Sequence, residues 1–277
     1  MGSFFCGNTA PVERFCGEVL PEDSCKTSVG NPIDVAAGNK YQIETDYIGG
    51  GEFPLSIVRK YNSSPLAASP GNTKLAAADG RSFGKRWLGN YDRTISTAGN
   101  EVVNAYRHDG TIVYFTLSSG TWNAEHGRKE RLIEVKDLAG LRTGWTMVTL
   151  DDVTETYNKD GHLVGLKNRN GQKLTFQLST SATPSTVAPG VNYLIKVTDH
   201  FGRALQLVWD SAGRLQTITA PDNVVFRYQY DSNGRLESVT YPGDEAGSRT
   251  YVYNEPEHNG GSNQPELLTG IIDEKGV

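Results

Sequence analysis

The chain of 277 residues reads as an all-β protein built as an antiparallel sheet strip of consecutive hairpins, and three observations predict this. Tyr230-Asp231-Ser232-Asn233-Gly234-Arg235-Leu236 has a near copy 21 residues earlier, Trp209-Asp210-Ser211-Ala212-Gly213-Arg214-Leu215, and a looser one at Tyr157-Asn158-Lys159-Asp160-Gly161-His162-Leu163. Each is an aromatic strand end, a tight turn whose Gly supplies positive φ, and an outgoing strand. Turn signals also recur at intervals of 7 to 13 residues, from Asp109-Gly110 through Ser119-Gly120, His126-Gly127, Ala139-Gly140, Asp151-Asp152 and Asp160-Gly161 to Asn170-Gly171. Finally, side-chain parity sorts the segments as strands. Val224, Phe226, Tyr228 and Tyr230 share one face, as do Leu205, Leu207 and Trp209, while Arg227, Gln229, Val225, Val208 and Ile218 fall on the other.

In chain order, residues 1–27 are a Gly/Pro/Glu-rich lead-in that holds Cys6, Cys16 and Cys25. Clustered cysteines suggest a disulfide-pinned segment and an oxidising compartment, but their odd number leaves the pairing open. Free thiols are one alternative; a metal site is disfavoured because spacings of 10 and 9 lack the paired ligands of structural zinc. Met1-Gly2-Ser3 reads as a cloning scar, implying that a natural N-terminus with a signal sequence has been removed. Residues 28–85 open with alternating segments around Tyr41 to Tyr47 and Leu55 to Tyr61, joined by Ile48-Gly49-Gly50-Gly51-Glu52, which predicts one wide hairpin with a flexible connection. Residues 64–84 read as a loop in which Leu75-Ala76-Ala77-Ala78 make at most one helical turn.

Residues 86–178 are divergent hairpin repeats, and Ser179 to Gly190 a surface insertion, since two Pro and six Ser/Thr do not pair as a central strand. Residues 191–277 are the clearest repeats. Asp-x-x-Gly recurs at Asp199, Asp210, Asp231 and Asp273, with Pro221-Asp222-Asn223 and Pro242-Gly243-Asp244 between. Each 21-residue unit is therefore two strands and two turns, with the aromatic-Asp turns on one edge of a continuous sheet and the Pro/Asp turns on the other.

A hydrophobic fraction of 37% with 31 Gly, 13 Tyr, 9 Phe and 4 Trp suits short strands and many turns. The net charge of −5 carries no long run of one sign, which argues against a nucleic-acid or anionic-membrane surface. No apolar stretch is long enough for a spanning helix.

On these motifs the chain resembles the Rhs or YD-repeat proteins, whose repeat reads Tyr-Asp-x-x-Gly-Arg-Leu. Gly30-Asn31-Pro32-Ile33-Asp34-Val35-Ala36-Ala37-Gly38-Asn39-Lys40-Tyr41, followed by Arg59-Lys60-Tyr61-Asn62-Ser63, resembles the domain that opens the repeat region of many bacterial members. The resemblance covers about residues 28–277 and implies a β-sheet strip that spirals into a hollow shell around a C-terminal toxin domain of the parent chain. It also implies export by a secretion machinery, with a secreted or cell-surface location. Two strong repeats are too few to close a shell, and no Asp-Pro dipeptide of the family's self-cleavage elements is present, so the chain is expected to be the N-terminal part.

No catalytic residue, metal site or cofactor is expected. His108, His126, His162, His200 and His258 are scattered without ligand spacing and read as solvated turn residues. Asp151 and Asp152 are adjacent and so cannot cooperate across a strand. Asp210 and Asp231 read as turn formers that accept hydrogen bonds from backbone N–H groups, with Gly213 and Gly234 at positive φ. Arg214 and Arg235 are expected to pair with the Asp of a neighbouring repeat. The aromatic face that includes Trp209, Tyr228 and Tyr230 reads as packing, with a glycan-stacking platform as the alternative, which makes a carbohydrate-binding or adhesive module the competing function.

Overall fold

A computed structural model describes residues 28–29, 33–34, 39–63, 82–243 and 247–275. Cys6, Cys16, Cys25 and the Leu75 to Ala78 run lie outside them.

The described strands form two sheets. The smaller has the order of the sequence: β1 (Ser28–Val29), β2 (Ile33–Asp34), β3 (Asn39–Ile48), β4 (Ser56–Asn62) and β5 (Trp87–Gly89). The larger is a 16-stranded antiparallel meander in which every strand pairs with its sequence neighbour. It runs β6 (Thr94–Ala98), β7 (Val102–Tyr106), β8 (Ile112–Ser118), β9 (Thr121–Ala124), β10 (Arg131–Lys136), β11 (Arg142–Val148), β12 (Thr154–Asn158) and β13 (Leu163–Lys167). It continues through β14 (Lys173–Leu178), β15 (Leu194–Asp199), β16 (Ala204–Trp209), β17 (Leu215–Ala220), β18 (Val224–Tyr230), β19 (Leu236–Thr240), β20 (Ser248–Tyr253) and β21 (Leu268–Ile272). The all-β hairpin strip read from the sequence is the observed fold.

The turns explain the regularity. At Asp210 the amide donates to Arg214 O at 2.7 Å, Gly213 N donates to Asp210 O at 3.0 Å, and Gly213 has φ +77°. This is a three-residue connection with a bulge at the left-handed residue, and the same pattern recurs at Asn158, Asn168, Asp199 and Asp231. The extra residue shifts the register between Val208 and Trp209 and again between Gln229 and Tyr230. That shift corrects the expected parity of Ile218: it pairs with Leu207 and Phe226 and is buried beside them, because the bulge flips the side-chain phase of β17.

One face of the meander holds the core. Phe176, Leu205, Leu207, Trp209, Phe226, Tyr228, Leu236 and Tyr251 are buried there, and the small sheet with residues 82–93 covers them. At the start of the meander the sheet curls: Thr94 bridges His162, and Ile95 N donates to Gly161 O at 2.9 Å. The Ser179 to Gly190 insertion is solvent-facing, but its base is pinned. Ser179 is buried and bonds Gly190 O and Tyr193 N, and Val187 O accepts from Trp209 N.

Candidate functional site

The residues with chemistry gather where the opening domain meets the repeats. Leu55, just before β4, and Ile57, Arg59 and Tyr61 within it alternate inward, so the strand's own period drives a guanidinium into the core. Arg59 and Asp46 have no exposed side-chain surface and form a bidentate pair, Nε to Oδ2 at 2.7 Å and Nη2 to Oδ1 at 2.8 Å. Further partners come from the far end of the chain, although Arg59 Nη1 is buried without one. Tyr228 and Tyr241 hydroxyls each donate to Asp46 at 2.9 Å, and Arg59 Nη2 donates to the Tyr251 hydroxyl at 2.8 Å. The guanidinium carbon lies 5.0 Å from the Trp87 ring centroid and 5.3 Å from that of Tyr251, with Phe83 and Tyr228 at 5.8 Å. Burial pushes the Asp46 carboxyl up, but Arg59 and the two hydroxyls outweigh it and hold it below the usual range. Burial also raises the Tyr251 hydroxyl, to about 12. The cluster therefore stays ionised and paired through the neutral range.

Around this anchor the fastening is backbone to backbone. Leu215 N donates to Ser82 O at 2.7 Å and Lys85 N to Gly234 O at 3.0 Å, so the segment entering β5 lies on two repeat turns. Tyr61 OH donates to Glu266 O and accepts from Leu268 N, while Trp87 Nε1 donates to the Tyr253 hydroxyl. At the other end of the strands, Arg203 Nη2 donates to Gly50 O, which makes the Gly49-Gly50-Gly51 connection a docked hairpin end.

The predicted repeat residues are brought together turn by turn. Asp210 Oδ1 accepts from Ala212 N and Arg214 N, each at 2.9 Å, and Asp231 Oδ1 accepts from Asn233 N and Arg235 N. Arg214 and Arg235 pair with the Asp of their own turn, not with a neighbouring repeat as expected, because the fourth residue of the loop folds back over the first. What links neighbouring repeats is the aromatic. Arg214 lies 4.4 Å over Tyr230 and Arg235 4.8 Å over Tyr253. Trp209 Nε1, Tyr230 OH and Tyr253 OH donate to the carbonyls of Leu194, Leu215 and Leu236, which are 21 residues apart. In the loosest copy, Asn158 Oδ1 accepts from His162 N, while Gly161 packs so closely that a Cβ there would fall 1.8 Å from Ile95 O.

Sequence reasoning missed a second buried acid. Glu155 shares the inward phase of Tyr157 on β12, and both are fully buried. Its carboxylate accepts from Arg107 Nη2 at 2.6 Å, from Arg93 and from the Tyr157 hydroxyl. Burial opposes its ionisation, but Arg107 and Arg93 hold it down to about 2. His108 departs from its expected solvated role: burial, then Arg93 and Lys60, push the imidazole down to about 3, and its Nδ1 is buried without a hydrogen bond. The in-phase placement of Arg59 and Glu155 among apolar strand positions was the available signal. Glu255, Glu257 and His258 stand within 4.8 Å of one another on the β20 to β21 connection, where the last two are exposed.

A cavity of about 640 Å³ lies between the layers, lined by Phe176, Leu205, Leu207, Trp209 and Tyr193, with Arg93, His162 and Asp92 at its polar side. Among the described residues Asp92 is its one acidic lining residue, and that carboxylate accepts from Gly89 N at 2.7 Å. Among the described residues no helix is long and apolar enough to cross a membrane.

A family model described as "Domain of unknown function (DUF6531)" matches residues 30–115, from before β3 into β8. No curated protein matches the chain. Among solved structures, one titled "Crystal Structure of TcdB2-TccC3-TEV" is similar at 11% identity over 84% of this chain, with a TM-score of 0.16; the chain spans 15% of that one. A model described as "RHS Repeat" matches residues 209–246, which begin at Trp209 and take in both the Asp210 and Asp231 turns. The recurring Asp-x-x-Gly-Arg turn and its 21-residue aromatic ladder are thus the repeat that this model describes, and the chain carries Rhs repeats at residues 209–246.

Proposed function

We propose that this chain is a non-catalytic wall element of an Rhs-type β-shell, one that encloses or displays a C-terminal toxin domain lying outside these 277 residues in an exported bacterial protein. The observation that carries this reading is the opening domain clamped on the core-bearing face of the repeats by the Arg59 and Asp46 cluster. A clamp of this kind fixes the position and curl of the first strands, which is what a wall needs from its starting element. The repeat residues support the same reading, because the Asp, Arg and aromatic of each unit are engaged in turn and inter-repeat bonds. The glycan-binding alternative relied on open ring faces at Trp209, Phe226 and Tyr228, and these are buried.

Limited proteolysis of the longer parent protein tests the proposal. The domain that follows the repeats is digested more slowly than the same domain alone, by roughly tenfold or more. Equal rates would refute enclosure.

A further inference from the structure

Four turns that share the Asp/Asn-x-x-Gly pattern close hairpins at the same end of the meander, after β10, β12, β16 and β18. Two of them carry residues 82–85 of the opening domain on their backbone, and a third carries the first strand of the meander, β6. Gly161 O accepts from Ile95 N, Leu215 N donates to Ser82 O, and Gly234 O accepts from Lys85 N. The fourth, Asp137-Leu138-Ala139-Gly140-Leu141, has the same internal bonds, with Asp137 Oδ1 accepting from Ala139 N and Leu141 N at 2.9 Å. Yet nothing among the described residues lies within 4 Å of a Cβ placed on Gly140.

Its chemistry also differs from the other three. The positions of Leu138 and Leu141 are Lys159 and His162, Ser211 and Arg214, or Ser232 and Arg235 in the covered turns. Leu138 is fully exposed and Leu141 is 67% exposed, and Ile133 and Val135 extend the apolar surface along β10 at 56% and 39%. A free turn gains nothing from two leucines at its solvent-facing positions. Charge around the patch has a small positive excess: exposed Arg131, Lys136 and Arg142 stand against Asp137 of the turn and Glu134, which pairs with Lys136 and Arg142.

We propose that the β10 to β11 turn is a docking site for an extended polypeptide segment of a partner protein, one that carries apolar side chains beside acidic ones. The segment lies on Gly140 as Ile95 lies on Gly161, so the site continues the interface already made by residues 82–95. Leu138, Leu141, Ile133 and Val135 take its apolar side chains, and Lys136, Arg142 and Arg131 face its acids.

The test is selection of a displayed peptide library, of about twelve residues per member, against the intact chain, followed by binding measurements on Leu138→Asp/Leu141→Asp. Both substituted positions are exposed, so an unchanged melting temperature confirms that the variant is folded. The expected result is a set of acidic-apolar peptides whose binding falls roughly tenfold or more in the variant and weakens with added salt. Failure to enrich any peptide that distinguishes the two proteins would overturn the proposal. It would equally be overturned if sedimentation showed the leucines pairing two copies of the chain, or if phosphatidylserine vesicles bound the intact chain and not the variant while no peptide did.

Discussion

Replacing Arg59 by Leu removes the cation from a site that has no exposed side-chain surface and leaves the Asp46 carboxylate with two tyrosine hydroxyls alone. The loss comprises two charge-assisted bonds of 2.7 and 2.8 Å, the bond to Tyr251, and the cation held among four rings. Breaking one member of a buried pair costs about 3 to 5 kcal/mol, mostly as the penalty for the charge left behind. At about 2 to 4 °C per kcal/mol for a chain of this size, the melting temperature falls by about 6 to 20 °C. The pH dependence identifies the mechanism. In the parent chain the depressed Asp46 carboxyl contributes stability that is present above its unfolded pKa and lost as pH falls through the folded one. In the variant, burial, the largest influence on this carboxyl, is opposed only by the two tyrosine hydroxyls and the folded pKa rises above the unfolded value, so the acid destabilises at neutral pH and is relieved by protonation. Thermal unfolding followed by circular dichroism should therefore show a deficit that is largest near neutrality and shrinks on acidification. A fall of under about 2 °C, or a deficit independent of pH, would refute the anchor.

Four further outcomes follow from the turns, the second buried acid and His108. Gly161→Ala costs more than Gly234→Ala, because a Cβ meets the Ile95 carbonyl at 1.8 Å in the first case and only the end of the Arg214 side chain at 3.7 Å in the second. Left-handed strain alone accounts for about 1 to 2 kcal/mol in each, and denaturant titration of the two variants reads the difference. Asp231→Ala loses about 1 to 2 kcal/mol and releases the Asn233 and Arg235 amides to faster hydrogen exchange, leaving the amides of the Asp210 turn protected. On the acid side, the Glu155 carboxyl is depressed from 4.5 to about 2, so it contributes stability that disappears between those pH values, and Glu155→Gln flattens that limb of the stability curve. His108 acts from a higher window: its imidazole, lowered from 6.5 to about 3, makes the fold lose stability as pH drops below 6.5, and His108→Gln removes that slope.

Much of the meander is legible because each hairpin is specified locally. Gly213 and Gly234 at positive φ, the Asp that precedes each by three residues, and the alternation of Leu205, Leu207 and Trp209 are all features of a few consecutive residues. The wide opening hairpin was readable for the same reason, with Tyr41 facing Asn62 and Thr45 facing Val58 in β3 and β4. The anchor was not readable in that way. Asp46 and Arg59 meet hydroxyls 182 to 195 residues further on, and only the three-dimensional return of Tyr228, Tyr241 and Tyr251 turns two charged strand residues into a core. Ile218 and the Arg214 and Arg235 pairings failed for a subtler reason. A bulge adds one residue to the turn, and counting in twos across it assigns the wrong face, while the loop's fold-back puts the arginine within reach of its own aspartate.

Hydrogen exchange at three amides tests the central claim most directly. Lys85 and Leu215 make the backbone bonds between the opening segment and two repeat turns, and Ile95 makes the bond between β6 and a third turn. If the opening domain is clamped as a unit on the repeats, these amides share one protection in the parent chain and lose it together in Arg59→Leu, while the other amides of β16 to β18 stay protected. Free exchange at Lys85 and Ile95 in the parent chain, with the repeat sheet intact, would contradict the clamp and with it the reading of this chain as the start of a wall.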